Sequence, residues 1–120
     1  MPILIVEDDS LIRELAVVAV EDWGYRALEA GTVAEALLFL RSSQPIALLF
    51  TDINLHGVPL GGCDLAREAI GLRPKLNVVY TTGNFISTEM SARFVADSRV
   101  LRKPYSLGQL KDCFSTLLAA

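Results

Sequence analysis

The sequence predicts an α/β fold in which a parallel five-stranded sheet carries helices on both faces. Short apolar runs of strand length alternate with segments whose apolar residues recur at helical spacing, and this alternation occurs five times in 120 residues. The composition agrees, because 52% of the residues are hydrophobic and the mean hydropathy is +0.40, as is typical of a sheet buried on both faces. Alternating strands and helices favour parallel pairing with right-handed crossovers.

Five segments have the length and residue types of buried strands. Residues 3–6 are four large apolar residues in a row, and residues 46–51 form the most apolar of the five segments. Runs this short and apolar are typical of strands without a solvent-facing side. The predicted strands are residues 3–6, 25–29, 46–51, 76–81 and 100–102.

Capping and stop signals mark the predicted helices. Gly24 follows the first helix, and Thr32 with Glu35 forms a Thr-x-x-Glu capping box at the start of the second. Residues 42–45, which end in a proline, stop the second helix. A loop with three glycines and a proline, residues 56–62, precedes the third. The predicted helices are residues 10–23, 32–40, 63–72, 85–97 and 107–118.

Properties of the whole chain limit its function. The net charge of −3 argues against a nucleic-acid surface. No apolar run is long enough to span a bilayer, and the N-terminus lacks the pattern of a signal peptide. Cys63 and Cys113 lie far apart without metal-type spacing, which favours free thiols in a reducing cytoplasm. We therefore expect residues 1–120 to form one cytoplasmic domain, with no output domain in this chain.

Chemically distinctive residues follow four of the five predicted strands. Ligands of open parallel sheets bind at the carboxyl ends of the strands, so these residues are expected at one edge of the sheet. They are Glu7, Asp8 and Asp9 after the first strand, Asp52 and Asn54 after the third, Thr82 and Gly83 after the fourth, and Lys103 after the fifth.

Each of these residues has an ordinary structural explanation when it is considered alone. Asp52 could cap a helix or a turn, Thr82 could belong to a simple turn, and Lys103 could be a solvated charge. The three acids could form the first turn of a helix, where the macrodipole favours negative charge. Their joint placement at one edge of one sheet favours a functional site.

The set of residue types predicts a magnesium-dependent phosphoryl site. Converging carboxylates cannot all remain ionised unless a cation lies among them. A small number of oxygen ligands suits Mg²⁺, which keeps several waters and takes further ligands from a phosphate. A lysine supplies a second positive charge, and one carboxylate is then free to act as a nucleophile.

Four motifs, in this order and with these separations, carry a resemblance to a known family. They are Ile3-Leu4-Ile5-Val6-Glu7-Asp8, Thr51-Asp52-Ile53-Asn54-Leu55, Val78-Val79-Tyr80-Thr81-Thr82-Gly83 and Leu101-Arg102-Lys103-Pro104-Tyr105. Over essentially its whole length the sequence resembles the receiver domains of bacterial two-component response regulators, either of the single-domain type or from a hybrid histidine kinase. The resemblance implies a flavodoxin-like (β/α)5 fold with strand order 2-1-3-4-5, and a phosphorelay function.

The resemblance also implies a role for each acid. Asp52 would be the phosphoacceptor and a ligand of Mg²⁺. Asp8 would bind the ion directly, Glu7 would act mostly through a bound water, and Asn54 would contribute its main-chain carbonyl. Asp9 would open the first helix.

On the opposite side of the site, the resemblance assigns Thr82 as the switch hydroxyl that moves to the phosphoryl group. Lys103 would pair with a phosphoryl oxygen, and the bond between Lys103 and Pro104 would be cis. Gly83 would keep the site open, because a larger side chain there would cover the acyl phosphate.

Two departures from the family pattern are visible. Val100 stands where the family usually has an aromatic residue whose rotamer follows the switch hydroxyl, so the readout is expected to differ or to be smaller. The loop of residues 56–62 looks longer than usual, and His56 stands where the family often has a proline. His56 is expected to be a solvated loop residue at the rim of the site.

The resemblance implies a sensor histidine kinase or a phosphotransfer protein as the phosphoryl donor. It also implies a downstream protein partner that binds the face of residues 85–118, and it is compatible with a homodimer. Direct contact with nucleic acid or membrane is not expected. The domain would catalyse only its own phosphorylation and dephosphorylation, and so would not be an enzyme acting on free substrates.

Two other classes of function stay open at this level. A Mg²⁺-dependent aspartyl-phosphate phosphohydrolase typically needs a second acid two residues after the nucleophile, and Asn54 stands there. A flavin-binding module would need a phosphate cradle rich in Ser, Thr and Gly after the first strand, where this chain has carboxylates instead.

Overall fold

The sheet contains five parallel strands in the order β2-β1-β3-β4-β5. The structure is a computed structural model that describes residues 2–118, so residues 1 and 119–120 of the expected domain lie outside the described residues. The strands are β1 (Ile3–Val6), β2 (Ala27–Ala30), β3 (Leu48–Asp52), β4 (Asn77–Thr82) and β5 (Arg99–Arg102). The strand order and the parallel pairing are those expected from the sequence.

Helices cover both faces of the sheet. The helices are α1 (Ser10–Asp22), α2 (Val33–Arg41), α3 (Gly61–Leu72), α4 (Thr88–Ser91) and α5 (Leu107–Leu118). Helices α1 and α5 pack on one face, where Val20 and Phe114 belong to one hydrophobic cluster. Helices α2, α3 and α4 contribute to the cluster on the other face, which contains Leu40, Leu65 and Met90.

The central strands are buried on both sides, as their continuous apolar sequences predict. All residues of β1 and β3 are buried, and side chains alternate between the two clusters: Leu4 belongs to the α2–α3 side and Ile5 to the α1–α5 side. The carboxyl ends of β1 and β3 are adjacent, since Val6 is paired with Thr51 in the parallel register.

Apart from α4, the largest differences from the predicted bounds are two residues, at the starts of β2, β3 and α3, and the other boundaries agree to within one residue. Strand β2 starts at Ala27 rather than Tyr25, whose N–H donates to the Val20 carbonyl at the end of α1. Strand β3 begins and ends later than predicted and includes Asp52, which is paired with Thr81 of β4. Helix α3 starts at Gly61 instead of residue 63.

The predicted helix over residues 85–97 is wrong, because α4 spans only Thr88–Ser91. Ser87 caps its start by accepting a hydrogen bond from the N–H of Met90. Beyond α4, the N–H of Val95 donates to the Tyr80 hydroxyl at 3.1 Å, so it is taken out of the helical pattern. Asp97 then has φ of 62°, a left-handed conformation that a helix cannot contain.

Within residues 2–118, no helix combines the length and the apolar character needed to cross a membrane. In the same part of the chain, Cys63 is buried, Cys113 is half-buried, and both are free thiols.

Candidate phosphoryl and metal site

The site forms at the carboxyl ends of the strands, and Asp9 lies between the acids that follow β1 and the start of α1. The Asp9 carboxylate caps α1 by accepting hydrogen bonds from the N–H groups of Leu11 and Ile12, at 2.9 and 3.1 Å. Asp9, the third acid after β1, therefore opens α1 as its N-cap, as predicted. The other two acids are left to face the end of β3.

The structure brings three of the predicted acids together. Carboxylate oxygens of Glu7, Asp8 and Asp52 lie within 4.8 Å of one another. Glu7 and Asp52 are buried, whereas Asp8 is partly exposed at the rim. Like charges at this separation with little solvent are costly unless a proton or a cation lies among them.

Lys103 supplies a positive charge to this cluster. Its Nζ lies 3.2 Å from Oε1 of Glu7 and 3.2 Å from Oδ2 of Asp52. Burial alone would lower the pKa of Lys103, but the negative charges of Asp52 and Glu7 outweigh it and raise the pKa. Lys103 is therefore a fixed cation opposite the acids.

One proton remains in the cluster near neutral pH. Burial, the hydrogen bond shared with Asp8 and the charge of Asp52 raise the pKa of Glu7 from 4.5 to about 7. Burial alone would raise the pKa of Asp8, but hydrogen bonds from the His56 N–H and from Glu7 outweigh it and lower the pKa. Of the two acids, Glu7 therefore binds a proton at higher pH than Asp8 does.

The residues at the end of β4 are next to this cluster in the sheet. Thr82 is fully buried, and its hydroxyl accepts a hydrogen bond from the N–H of Asn84 at 3.1 Å. The Thr82 carbonyl accepts from the N–H of Lys103 at 2.7 Å, which ties β4 to the lysine. Among residues 2–118, no hydrogen bond joins the Thr82 hydroxyl to Asp52 or Lys103. A Cβ added at Gly83 would meet open space.

The remaining predicted positions are structural neighbours of the site. The Asn54 side chain accepts a hydrogen bond from the N–H of Leu60 at 3.3 Å. The peptide bond between Lys103 and Pro104 is cis, as the resemblance implies. Val100 is half-buried in β5 and is paired with Tyr80 of β4.

Glycine is required where α3 approaches β3. The N–H of Gly62 donates to the Ile53 carbonyl at 2.7 Å, and a Cβ at this position would collide with the Asp52 carbonyl oxygen. The glycine-rich loop thus lets the start of α3 pack directly behind the Asp52 backbone. This explains why the sequence has glycine at the end of the loop.

Three features of the site were not predicted from the sequence. Arg13 of α1 donates from Nη1 to the Glu7 carbonyl at 2.8 Å, which fixes the exit of β1. His56 is exposed at the rim, as expected, and its backbone N–H donates to Asp8 at 2.8 Å. The hydroxyl of Thr81, which is buried, has no hydrogen-bond partner among residues 2–118. No sequence signal gave the Arg13 contact, whereas the position of His56 four residues after Asp52 did place it near the rim.

The comparisons with known proteins agree with this geometry. A family model described as the response regulator receiver domain matches residues 3–114. This chain belongs to that family. The domain is 33% identical over 120 residues to the response regulator receiver protein CpdR of Brucella abortus, with 98% of this chain and 97% of that protein covered.

Solved structures show the same fold for this receiver domain. The crystal structure of a response regulator receiver protein from Sinorhizobium medicae has a TM-score of 0.90 and 29% identity, covering 100% of this chain and 95% of that chain. Response regulator protein TrrA from Thermotoga maritima, in complex with Mg(2+)-BeF, has a TM-score of 0.79 and 26% identity, covering 98% of both chains. The chain is therefore a receiver domain of two-component response regulators with a flavodoxin-like fold, and the phosphohydrolase alternative is not favoured.

Proposed function

We propose that this receiver domain accepts a phosphoryl group on Asp52 from a phosphohistidine of a sensor histidine kinase or a phosphotransfer protein. The observation that carries the proposal is the position of the Asp52 carboxylate, which lies close to two other acids and to the half-buried Lys103. The Asp52 carboxylate attacks phosphorus, the phosphorus–nitrogen bond of the phosphohistidine breaks, and the histidine leaves. The product is an aspartyl phosphate, which water later hydrolyses.

The acidic cluster suits Mg²⁺, because its oxygen donors lie within 4.8 Å of one another and, among residues 2–118, Lys103 is the one cation that forms ion pairs with them. Glu7, Asp8 and Asp52 would hold the ion together with the main-chain carbonyl of Asn54. When bound, Mg²⁺ supplies positive charge beside the phosphoryl oxygens. The choice of Mg²⁺ is supported by TrrA, a relative whose structure contains Mg(2+)-BeF.

Lys103 is proposed to pair with a phosphoryl oxygen. Its ammonium group bridges Glu7 and Asp52 at equal distances of 3.2 Å, and it can turn from either carboxylate to an oxygen on the incoming group. Its raised pKa keeps it protonated throughout the physiological range. Lys103 would thus stabilise the charge that spreads over the transferred oxygens.

Thr82 is proposed to link the phosphoryl group to the rest of the domain. Its hydroxyl holds only the N–H of Asn84, in an exposed loop, so this contact can be exchanged for one with a phosphoryl oxygen. Such a movement would pull the start of the segment that leads to α4. Gly83 would leave space for the phosphoryl group, because a Cβ there meets nothing within 4 Å.

The surface that responds is proposed to lie within residues 85–118, and its ligand to be a downstream protein. Val100 lacks the aromatic group expected at its position, but the neighbouring Tyr80 is fully buried and stacks on Phe94 at 4.7 Å between ring centroids. The Tyr80 hydroxyl also accepts a hydrogen bond from the N–H of Val95, so β4 directly contacts the loop that follows α4. These contacts offer a route from the site to that surface without an aromatic residue at position 100.

The test is phosphorylation by a small donor. The protein is incubated with Mg²⁺ and acetyl phosphate, and its intact mass is measured. We expect a species heavier by one phosphoryl group, which is absent in Asp52→Asn and in the presence of EDTA. Asp97→Asn, the same change in a loop remote from the site, is the matched control and should be phosphorylated normally.

Two results would contradict the proposal. An unmodified wild-type protein under conditions that phosphorylate a known receiver would remove Asp52 as the phosphoacceptor. Steady release of phosphate from a panel of phosphomonoesters would indicate the phosphohydrolase instead, because a receiver turns over no free phosphomonoester. Gel filtration of the phosphorylated protein with and without a downstream partner would separate a homodimer from a heterologous complex.

A further inference from the structure

His56 occupies the first central position of a tight turn in the loop that follows β3. Leu55 and Val58 form an antiparallel bridge, and the N–H of Val58 donates to the Leu55 carbonyl at 2.9 Å. Between them, φ is 50° at His56 and 72° at Gly57. Positive φ at both central residues is the pattern of a type I′ turn, which favours asparagine, aspartate or glycine at the first of them.

Two hydrogen bonds connect His56 to the exits of two other strands. Its backbone N–H donates to Oδ2 of Asp8 at 2.8 Å, after β1. Its ring Nε2 lies 2.7 Å from the carbonyl oxygen of Gly31, after β2. Because a carbonyl only accepts, this contact requires the tautomer that carries a proton on Nε2.

The ring is anchored to a fixed point. The N–H of Gly31 donates to Oε1 of Glu35 at 3.1 Å, and Glu35 belongs to the capping box that starts α2. Gly31 is therefore held by β2 on one side and by α2 on the other. The hydrogen bond from the His56 ring to the Gly31 carbonyl therefore restrains the ring, and with it the His56 backbone.

We propose that His56 is a positioning residue for Asp8. Its ring holds the turn against Gly31, and its N–H, in the left-handed conformation, then fixes the orientation of the Asp8 carboxylate for binding Mg²⁺. The inference rests on the proposed metal site. A proline at this position could neither adopt positive φ nor donate an N–H, so this chain has a contact that the usual family residue cannot make.

The size of the effect follows from the surroundings. Asp8 is partly exposed, and a carboxylate at a rim would otherwise exchange between orientations in water. Hydrogen-bond partners of metal-binding groups typically change metal affinity by about 10–100-fold. Since the His56 side chain itself is exposed, we expect an effect at the lower end of that range.

The test compares two substitutions at one position. His56→Gly keeps the N–H and adopts positive φ without strain, but it loses the ring contact. His56→Gln keeps a side-chain N–H that can reach the Gly31 carbonyl. Asp97→Gly is the control, because Asp97 also has positive φ, 62°, in a loop between α4 and β5. The Mg²⁺ dissociation constant is measured by isothermal titration calorimetry, and stability by urea unfolding without metal.

We expect His56→Gly to weaken Mg²⁺ binding about tenfold, with a urea midpoint similar to that of Asp97→Gly. His56→Gln should restore most of the affinity. Unchanged Mg²⁺ affinity in His56→Gly, or equal weakening in His56→Gln, would overturn the role of the ring. Asp97→Gly should bind Mg²⁺ as tightly as the wild type does. Weakened binding in Asp97→Gly would show that the loss in His56→Gly is not specific to position 56.

A measurement without metal separates this inference from the proposed function. In the metal-free protein, the amide of residue 56 should be protected from hydrogen exchange, and the protection should fall in Asp8→Ala and in His56→Gly. If the wild type binds no Mg²⁺ but shows this protection, the proposed metal site fails and the positioning of Asp8 stands. If the wild type binds Mg²⁺ while the amide is unprotected, the positioning role fails and the metal site stands.

Discussion

The protonation of Glu7 gives a direct test of the electrostatics at the site. Glu7 is buried next to Asp8 and Asp52, and its pKa is raised from 4.5 to about 7. The substitution Glu7→Gln replaces the carboxyl with a neutral amide of nearly the same shape, which can still donate a hydrogen bond to Asp8 as the protonated acid does. The variant should therefore resemble the wild type at low pH and differ from it at high pH.

The direction and size of the pH effect on the unfolding free energy follow from proton linkage. Because the folded state holds its proton up to about pH 7 and the unfolded state releases it near 4.5, the folded state binds more protons between these values. Wild-type stability should therefore be highest below pH 4.5, fall as the pH rises through that interval, and level off above pH 7. At about 1.4 kcal/mol for each pH unit between the two pKa values, the loss is about 3 kcal/mol.

The assay is urea unfolding in EDTA at several pH values from 5 to 8. The quantity of interest is the unfolding free energy of the wild type minus that of Glu7→Gln, since other titrating groups cancel in this difference. It should fall by about 2–3 kcal/mol across the range, and saturating Mg²⁺ should reduce the slope because a cation favours the ionised carboxylate. Glu14→Gln, at an exposed position of α1, serves as a control and should leave the wild-type slope unchanged. Parallel pH profiles for the wild type and Glu7→Gln would refute the buried, protonated state of Glu7.

Three further substitutions test packing around the site by urea unfolding. Thr81→Val removes a buried hydroxyl that has no partner among the described residues and keeps the branched shape, so it should stabilise the domain by about 1 kcal/mol; a loss of stability would show that the hydroxyl is satisfied. Tyr80→Phe should cost about 1 kcal/mol and speed hydrogen exchange in residues 92–97, because it removes the hydrogen bond to that segment; unchanged exchange there would exclude the anchoring role. Gly62→Ala should lower the unfolding free energy by about 2 kcal/mol or more, because a Cβ there overlaps the Asp52 carbonyl of β3. As its control, Gly71→Ala in α3 has nothing near the added Cβ and should raise the unfolding free energy by about 0.5–1 kcal/mol. Equal effects of the two substitutions would contradict the close approach of α3 to β3.

The sheet could be predicted because the strongest sequence signals report burial on both faces. The first strand is four apolar residues ending at a carboxylate, and its bounds in the structure, Ile3–Val6, match the prediction. Once parallel strands are established, topology alone requires their carboxyl ends to meet, which brings Glu7, Asp52 and Lys103 together although they are far apart in the chain. The candidate site was thus predictable without any knowledge of side-chain conformations.

The largest error occurs where a tertiary contact outweighs local preference. Residues 85–97 contain enough apolar residues at suitable spacing to predict a helix, but Phe94 stacks on Tyr80 and the next N–H is held by the Tyr80 hydroxyl. Tyr80 lies outside the window from which a local pattern can be read, so the sequence carries no signal for these contacts. Residues 25–29 read as a strand, but the N–H of Tyr25 is bonded to the Val20 carbonyl five residues earlier, so the later start of β2 follows from a local contact at the end of α1.

The charge balance of the site explains why its acids can be adjacent with or without a metal ion. Glu7, Asp8 and Asp52 could carry three negative charges, and Lys103 offsets one of them. Near neutral pH, a proton on Glu7 removes a second charge, and the Asp8 carboxylate is stabilised by the His56 N–H. A divalent cation would make that proton unnecessary, so metal and proton are alternative ways to balance the same carboxylates. The raised pKa of Glu7 is therefore the cost of holding these carboxylates together in the metal-free protein.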